Sequence, residues 1–360
     1  MPTLTLSKFT LESGATLRDV PVAYRSWGQL NNRGDNALVV CHALTGSADA
    51  TDWWGDLIGP GRALDTDRFF VVCANAFGSP YGTASPVTPN PTTGEPYGPD
   101  FPETTTRDTV ALHRELLDRL GVQQVAAAIG GSMGAMHVLE WAFERTADDA
   151  PFVRALVPIA VGGRHSAWCI GWSEAQRQAI YADPNWNDGH YDADRPPTGG
   201  LSAARMMAMI SYRSRPSFEK RFGRERMTNG TPDGPFAAES YLRYQGEKLT
   251  GRFDANCYVR LTQQMDSHDV ARGRGAYREV LQSIEQPAFI IGIDSDVLYP
   301  LEEQRELAKA LPNGRLSVLS SPHGHDAFLI EQDTLNDVLA PWLLVHADTS
   351  APAPVSVTPR

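Results

Sequence analysis

From residue 36 onward, short apolar runs alternate with helical patterns, and this alternation restricts the fold more than any other feature. The apolar runs predict buried strands at 36–44, 68–75, 124–132, 153–161, 286–296 and 315–321. The segments between and after them predict helices at 105–122, 133–146, 302–311 and 333–347. Short buried strands that alternate with helices are typical of a parallel sheet covered on both faces. We therefore predict an α/β fold with a mostly parallel central sheet flanked by helices.

The segment 163–285 interrupts this alternation. It is rich in Arg, Met, Gln and aromatic residues, and it contains helical patterns but no convincing buried strand. We therefore predict that residues 1–162 and 286–346 form the core and that 163–285 form a helical lid inserted over the sheet. The Pro- and Ala-rich end of the chain, 347–360, is predicted to be disordered.

Composition and charge exclude several classes of protein. The chain has 43 acidic and 32 basic side chains and a net charge of −11, whereas a nucleic-acid-binding protein needs a basic surface. No apolar run is long enough to span a membrane, and the N-terminus lacks the basic and apolar regions of a signal peptide. We therefore expect a cytoplasmic protein that binds neither membranes nor nucleic acid. The four cysteines are too widely spaced to indicate a disulfide framework or a zinc site.

The segment Gly130-Gly131-Ser132-Met133-Gly134 lies between a predicted strand and a predicted helix. A G-x-S-x-G pattern in this position is typical of a sharp turn in which small neighbours let the backbone approach itself closely. The serine hydroxyl is then exposed above the sheet, near the positive end of the following helix. We therefore predict that Ser132 is a nucleophile.

A nucleophilic serine needs a general base, and the base needs an acid that fixes its tautomer. In folds with this turn, the three residues follow in the order Ser, Asp or Glu, His. Asp296 comes at the end of one late strand and His325 follows the next strand, so both fit the order. Asp294 and His323 lie two residues away from them and are the alternatives.

An oxyanion hole requires the backbone N–H of the residue after the nucleophile and a second N–H from the loop after an early strand. Met133 directly follows the predicted nucleophile and supplies the first N–H. The segment 42–46 follows the apolar strand residues NALVVC, and within it Leu44 is the predicted second donor. We expect His42, in the same segment, to be structural rather than a second base.

Several longer motifs resemble those of one enzyme family. They are CHALTGSAD, the Gly- and Pro-rich segment 75–108, GGSMGAMHVLEWA, ARMMAMISYRSRPSFEKRFGR, DSDVLYP and GHDAFL. Over about residues 18–345, the chain closely resembles the homoserine O-acetyltransferases of methionine biosynthesis. The resemblance implies an α/β-hydrolase fold with a helical lid and a catalytic triad of Ser132, His325 and Asp296. It also implies a homodimer formed through the lid.

The activity implied by this resemblance is transfer of an acetyl group from acetyl-CoA to the hydroxyl of L-homoserine, by a ping-pong route through an acyl-Ser132 intermediate. Acetyl-CoA is then a co-substrate, and no cofactor or metal ion is expected. By motif position, the residues that hold homoserine are Arg205, Tyr212 and Asp326. The motifs do not locate the site for the phosphates of CoA, for which the candidates are Arg213, Arg215 and Arg221.

Other activities remain open at this stage. Succinyl-CoA as the donor and serine as the acceptor are the alternatives within the family. An esterase would share Ser132, Asp296 and His325 but would not need residues that hold an amino acid. A non-catalytic binding protein of the same fold would typically have lost one triad residue, whereas this sequence retains all three.

Overall fold

The computed structural model describes residues 1–227 and 234–347, and these contain a single eight-stranded sheet. The strands are β1 Thr3–Thr10, β2 Thr16–Trp27, β3 Ala37–Cys41, β4 Phe70–Ala74, β5 Val125–Gly131, β6 Leu156–Ile159, β7 Ala288–Ile293 and β8 Gly314–Leu319. Their spatial order is β1-β2-β4-β3-β5-β6-β7-β8. Of the end predicted to be disordered, 347–360, all but Ala347 lies outside the described residues.

Strands β3 to β8 pair in parallel, which confirms the predicted α/β fold with a mostly parallel sheet. At one edge, β1 pairs antiparallel with β2, and β2 pairs antiparallel with β4. The sequence analysis did not predict β1 and β2. In β1 only Leu6 and Phe9 are buried, so no continuous apolar run marks this strand.

The described part of the chain contains twelve α-helices. They are α1 Thr51–Trp54, α2 Thr106–Arg119, α3 Met133–Trp141, α4 Ala167–Tyr181, α5 Thr198–Ser211, α6 Arg215–Phe222, α7 Ala237–Thr250, α8 Ala255–Asp266, α9 Tyr277–Gln282, α10 Leu301–Ala310, α11 Ala327–Ile330 and α12 Gln332–His346. Helix α2 begins with a capping box, in which Thr105 and Asp108 satisfy each other's backbone N–H groups.

Both faces of the sheet are buried, because alternate strand residues point to opposite sides. In β3, Val39 and Cys41 belong to one apolar cluster, and Leu38 and Val40 belong to another. The first cluster includes residues of α2, α3, α9 and α10, and the second includes residues of α1, α11 and α12. Since both faces of the sheet are occupied by packing, we expect a functional site at the carboxyl ends of the parallel strands.

Within 163–285, the described residues form helices α4 to α9 and no strand of the sheet. Helix α5 packs against α4, α7 and α8. We call α4 to α8 the lid helices. The division of the chain into a core and a lid at residues 163 and 285 stays a prediction.

The four cysteines are buried and form no disulfide. Among residues 1–227 and 234–347, no group of three or more His, Cys, Asp or Glu side chains is arranged to hold a metal ion. None of the helices in these two ranges is long and apolar enough to cross a bilayer.

Candidate active site

Ser132 lies at the sharp turn between β5 and α3. Its backbone adopts φ 57° and ψ −125°, a conformation that L-residues rarely occupy and that is held here by the surrounding structure. The turn needs glycine on both sides: a Cβ at Gly130 would lie 2.8 Å from the carbonyl oxygen of Cys41, and one at Gly134 would collide with that same oxygen. The G-x-S-x-G spacing is therefore explained by the close approach of this turn to the end of β3.

Asp296 and His325 come from the loops that follow β7 and β8. Asp296 Oδ2 accepts a 2.6 Å hydrogen bond from His325 Nδ1. The other carboxylate oxygen, Oδ1, accepts from the backbone N–H groups of Leu298 at 2.8 Å and Tyr299 at 3.0 Å. Since Nδ1 of His325 carries the proton, its Nε2 has a free lone pair that can accept one.

Ser132 and His325 line the same cavity, whose volume is about 520 Å³. His325 Nε2 is buried and has no hydrogen-bond partner in the described part of the chain, so a hydrogen bond to Ser132 is not formed in this structure. Such bonds are often long in unliganded enzymes and shorten when substrate binds. A buried, unpartnered acceptor that lines the same cavity as the Ser132 hydroxyl is suited to remove the proton of that hydroxyl.

The two alternative triad residues take no part in this arrangement. Asp294 accepts hydrogen bonds from Ser320 Oγ at 2.7 Å and from Ser321 N at 3.1 Å. His323 is partly exposed, and its Nε2 lies 4.0 Å from Glu331. The structure therefore brings together Asp296 and His325, as the order of motifs predicts.

The two predicted oxyanion-hole donors are buried backbone groups. Leu44 lines the cavity, and the N–H of Met133 is the first of α3. In residues 1–227 and 234–347, neither N–H finds a hydrogen-bond acceptor. Buried N–H groups without a partner are rare in proteins, and two of them beside a nucleophile are suited to bind a developing negative charge.

His42 fixes the peptide that carries the Leu44 N–H. Its Nε2 accepts from the N–H of Ala76 at 2.8 Å, so its Nδ1 carries the proton and donates to the carbonyl oxygen of Ala43 at 2.8 Å. That carbonyl and the Leu44 N–H belong to one trans peptide and point in opposite directions. Burial lowers the pKa of His42 to about 4, so the ring is neutral near pH 7. These contacts agree with the expected structural role of His42.

The three residues predicted to hold homoserine also line the cavity: Arg205, Tyr212 and Asp326. The Arg205 guanidinium carbon lies 5.6 Å from the ring centroid of Tyr212, and in the described residues it forms no salt bridge to a carboxylate. Asp326 is paired with Arg213, at 3.1 Å between Oδ2 and Nε. Burial raises the pKa of Asp326, although Arg213, His325 and Arg205 oppose this shift.

The sequence analysis missed a side chain that supports the base. The ring of Tyr299 stacks on that of His325, with 5.3 Å between centroids, and its hydroxyl bonds His165 Nδ1 at 3.0 Å. Tyr299 lies in the DSDVLYP motif, three residues after Asp296. The motif itself was the available signal, but only the fold shows that the tyrosine ring meets the imidazole.

Two basic residues of the cavity, Lys248 and Arg252, were also missed. Lys248 lies in the last turn of α7, and Arg252 follows two residues after the end of this helix. Their sequence neighbours carry no motif that would distinguish them from other surface cations.

The chain is similar to known proteins in both sequence and fold. A family model for the alpha/beta hydrolase fold matches residues 36–332. The homoserine O-acetyltransferase of Salinibacter ruber is 67% identical over 341 residues, which cover 94% of this chain and 96% of that protein. The homoserine O-acetyltransferase of Nostoc punctiforme is 57% identical and covers 92% of each chain. The crystal structure of esterase E22 has a TM-score of 0.85 at 26% identity, over 95% of this chain and 99% of the esterase.

Proposed function

Because this chain belongs to the homoserine O-acetyltransferase family of the α/β-hydrolase fold, we propose that it transfers the acetyl group of acetyl-CoA to L-homoserine through an acyl-Ser132 intermediate. Acyl transfer to homoserine is the activity of the family. The donor, the covalent intermediate, the place of the reaction in methionine biosynthesis and its cytoplasmic location are the parts that we propose. The route needs no prosthetic group, since the thioester is already activated and CoA is consumed as a co-substrate.

In the first half-reaction, His325 Nε2 takes the proton of Ser132 Oγ, and Oγ attacks the thioester carbonyl carbon. The tetrahedral oxyanion accepts hydrogen bonds from the N–H groups of Met133 and Leu44. The carbon–sulfur bond then breaks, and the CoA thiolate leaves with the proton from the imidazolium. Asp296, 2.6 Å from Nδ1, stabilises the imidazolium and holds the ring in the required orientation.

In the second half-reaction, homoserine replaces CoA. His325 takes the proton of the homoserine hydroxyl as this oxygen attacks the carbonyl carbon of the acyl-serine. The intermediate collapses, the bond between the acyl carbon and Ser132 Oγ breaks, and His325 returns the proton to the serine. Water competes for the same acyl group, so the covering of the site by the lid helices favours transfer over hydrolysis.

The observation that carries this proposal is the Arg205 guanidinium, which shares a cavity with the Ser132–His325 pair and has no carboxylate partner among the described residues. Homoserine supplies a carboxylate that matches the planar guanidinium. Asp326 adjoins the base and can pair with the ammonium group. An esterase for uncharged esters would need neither group, although the likeness to esterase E22 shows that the same fold also carries that chemistry.

We also propose that the protein is a homodimer formed through the lid helices. Several large apolar side chains of these helices are exposed: Trp168, Ile170, Ile210 and Tyr244. Exposed aromatic and aliphatic residues on one set of helices are typical of an interface. Light scattering on the purified protein tests this proposal, since a monomer at micromolar concentration would contradict it.

The activity is tested by pairing acetyl-CoA or succinyl-CoA with homoserine or serine. Free thiol and product mass are measured in each of the four reactions and in a fifth without acceptor. We expect O-acetylhomoserine from the first pair at a rate far above the others. Thiol release that does not depend on an acceptor would identify a hydrolase, and a faster reaction with succinyl-CoA or serine would reassign the donor or the acceptor.

A further inference from the structure

The cavity of Ser132 has a basic rim, which we define as Lys248 and Arg252. The reacting side chains are deeply buried, with Ser132 at 6% and His325 at 2% exposure. Lys248 and Arg252 line the same cavity but are exposed. The cavity therefore runs from a buried reaction centre to a solvent-exposed end that carries two positive charges.

Among the described residues, neither cation of the basic rim pairs with a carboxylate. In residues 1–227 and 234–347, Lys248 forms no salt bridge or side-chain hydrogen bond. Arg252 uses only Nη1, which donates to the carbonyl oxygen of Thr45 at 2.9 Å and to the hydroxyl of Tyr81. Asp52 lines the same cavity and pairs with neither of them. In a chain of net charge −11, two adjacent cations without a carboxylate partner are suited to an anionic ligand.

The rim fits the phosphate groups of the acyl donor, an inference that rests on the proposed use of acyl-CoA. In such a donor, a long flexible arm separates the thioester from a pyrophosphate and a nucleotide phosphate. When the thioester carbon is at Ser132, the phosphates must therefore lie towards the open end of the cavity. We propose that Lys248 and Arg252 bind these phosphates.

Of the other arginines considered for this role, two have partners outside the rim. Arg213 is paired with Asp326, and Arg221 stacks 4.7 Å from the ring centroid of Tyr241. Arg213, Arg215 and Arg221 are absent from the lining of the Ser132 cavity. Lys248 and Arg252 therefore lie at the mouth of the cavity, whereas the three arginines of the family motif do not line it.

Arg252 has a second effect that determines how the proposal is tested. It holds the carbonyl of Thr45, the residue next to the oxyanion donor Leu44. A change at Arg252 therefore disturbs both the rim and the oxyanion loop, whereas the Lys248 side chain forms no hydrogen bond or salt bridge with the residues that the structure describes. Lys248 is the cleaner probe, and Lys309, an exposed lysine in α10, is the matched control.

The experiment compares two donors that differ only in the phosphate-bearing part, acetyl-CoA and S-acetylpantetheine, with homoserine as acceptor. We expect Lys248→Ala to lower kcat/KM for acetyl-CoA about 5- to 20-fold, mainly through KM, and Lys248→Glu to lower it further. The loss for S-acetylpantetheine should be much smaller, so the ratio between the two donors falls. Added salt should weaken the use of acetyl-CoA by the wild type more than by Lys248→Ala. Lys309→Ala should leave the ratio unchanged.

Equal losses with both donors, or no loss with acetyl-CoA, would overturn the assignment of the rim. A wild type that uses both donors equally well would also overturn it and would leave the proposed transferase activity intact. A wild type that forms no O-acetylhomoserine from either donor would instead refute the proposed function, and the assignment of the rim with it.

Discussion

The cavity has two walls that differ in how firmly their side chains are held. The sheet wall consists of Ser132 and His325, which line the cavity, together with Asp296, which is hydrogen-bonded to His325 and does not itself line the cavity. All three are buried, and they follow strands β5, β8 and β7, respectively. The lid wall consists of Arg205 and Tyr212, on or next to α5, and of the basic rim, in which Lys248 lies in the last turn of α7 and Arg252 just after it. Both carboxylate oxygens of Asp296 have hydrogen-bond partners within the fold, whereas the cations Arg205 and Lys248 form no salt bridge among the described residues.

This difference separates the chemistry from the choice of substrate. A buried triad, in which Asp296 holds His325, acts on any carbonyl that reaches Ser132, as the shared fold of esterase E22 illustrates. Unpaired cations on the lid wall gain most when an anionic substrate fills the cavity. Changes to the sheet wall should therefore affect both half-reactions, whereas changes to the lid wall should affect only the one whose substrate they contact.

The largest effect is expected for Ser132→Ala, because no other group can form the covalent intermediate. Activity should fall about ten-thousand-fold or more. Intact mass after mixing with acetyl-CoA and no acceptor should show an acetyl adduct in the wild type and none in the variant. Ser47→Ala changes another serine of the same cavity and is the control, which should keep the adduct. An adduct that persists in Ser132→Ala would assign the nucleophile elsewhere.

Asp296→Asn should have the next largest effect. An amide at this position favours the wrong tautomer of His325 and does not stabilise the imidazolium, so kcat should fall on the order of a thousand- to ten-thousand-fold. Both half-reactions should slow, because each one uses the same base. Asp294→Asn is the matched control, since this carboxylate bonds Ser320 and Ser321 instead. A comparable loss of activity in the control would show that the loop, rather than the triad, limits the rate.

On the lid wall, Arg205→Ala should act on the acceptor. Loss of one charge-assisted contact to the homoserine carboxylate should lower kcat/KM for homoserine about 30- to 1000-fold. Formation of the acyl-enzyme, measured by rapid quench without acceptor, should change far less. Asp326→Asn should show the same asymmetry through the ammonium group. Equal losses in both half-reactions would mean that these residues support the triad and do not hold the acceptor.

The sheet wall was predictable from the sequence because its signals are local. The strand, the turn glycines and the start of α3 are contiguous around Ser132, and Asp296 and His325 each follow a recognisable strand. The Tyr299 ring and the orientation that His42 gives to the Leu44 N–H depend on contacts between distant segments, so no local pattern reveals them.

The lid wall was predictable only where a family motif covers it, as at Arg205 and Tyr212. Lys248 and Arg252 lie outside the motifs, and their role follows from the packing of α7 over the cavity. The edge strand β1 and its neighbour β2 were missed for a similar reason. Their pairing with each other and with β4 stabilises them, although their own pattern of buried residues is weak.

Lowering the pH should reduce the free energy of unfolding, because the fold buries three neutral histidines. Burial lowers the pKa of His42 and of His113 to about 4 and that of His137 to about 3. Well above pH 6.5 these rings are neutral in both the folded and the unfolded chain, so they cause no pH dependence there. Below pH 6.5 the unfolded chain binds protons that the folded chain excludes, so the free energy of unfolding falls by about 2 kcal/mol per histidine at pH 5.

Denaturant midpoints measured at pH 7.5, 6 and 5 test this expectation. His113→Gln retains a side-chain donor for the carbonyl of Asn75, 3.1 Å from His113 Nε2, and should lose less stability between pH 7.5 and 5 than the wild type. A stability that does not change down to pH 5 would mean that these histidines are protonated within the fold.

The smallest expected effect is on the free energy of unfolding, from a glycine substitution in the lid helix α4. Gly171 lies inside α4, and a Cβ there would meet no heavy atom within 4 Å. Gly171→Ala removes backbone freedom from the unfolded chain, so it should raise the free energy of unfolding by about 0.5–1 kcal/mol and leave kcat unchanged. Gly246→Ala, in α7, is the opposite case, because its Cβ would collide with Ser202, and it should lower stability. Denaturant midpoints of both variants check the signs. A loss of stability in Gly171→Ala would contradict the open space that the structure shows beside this glycine.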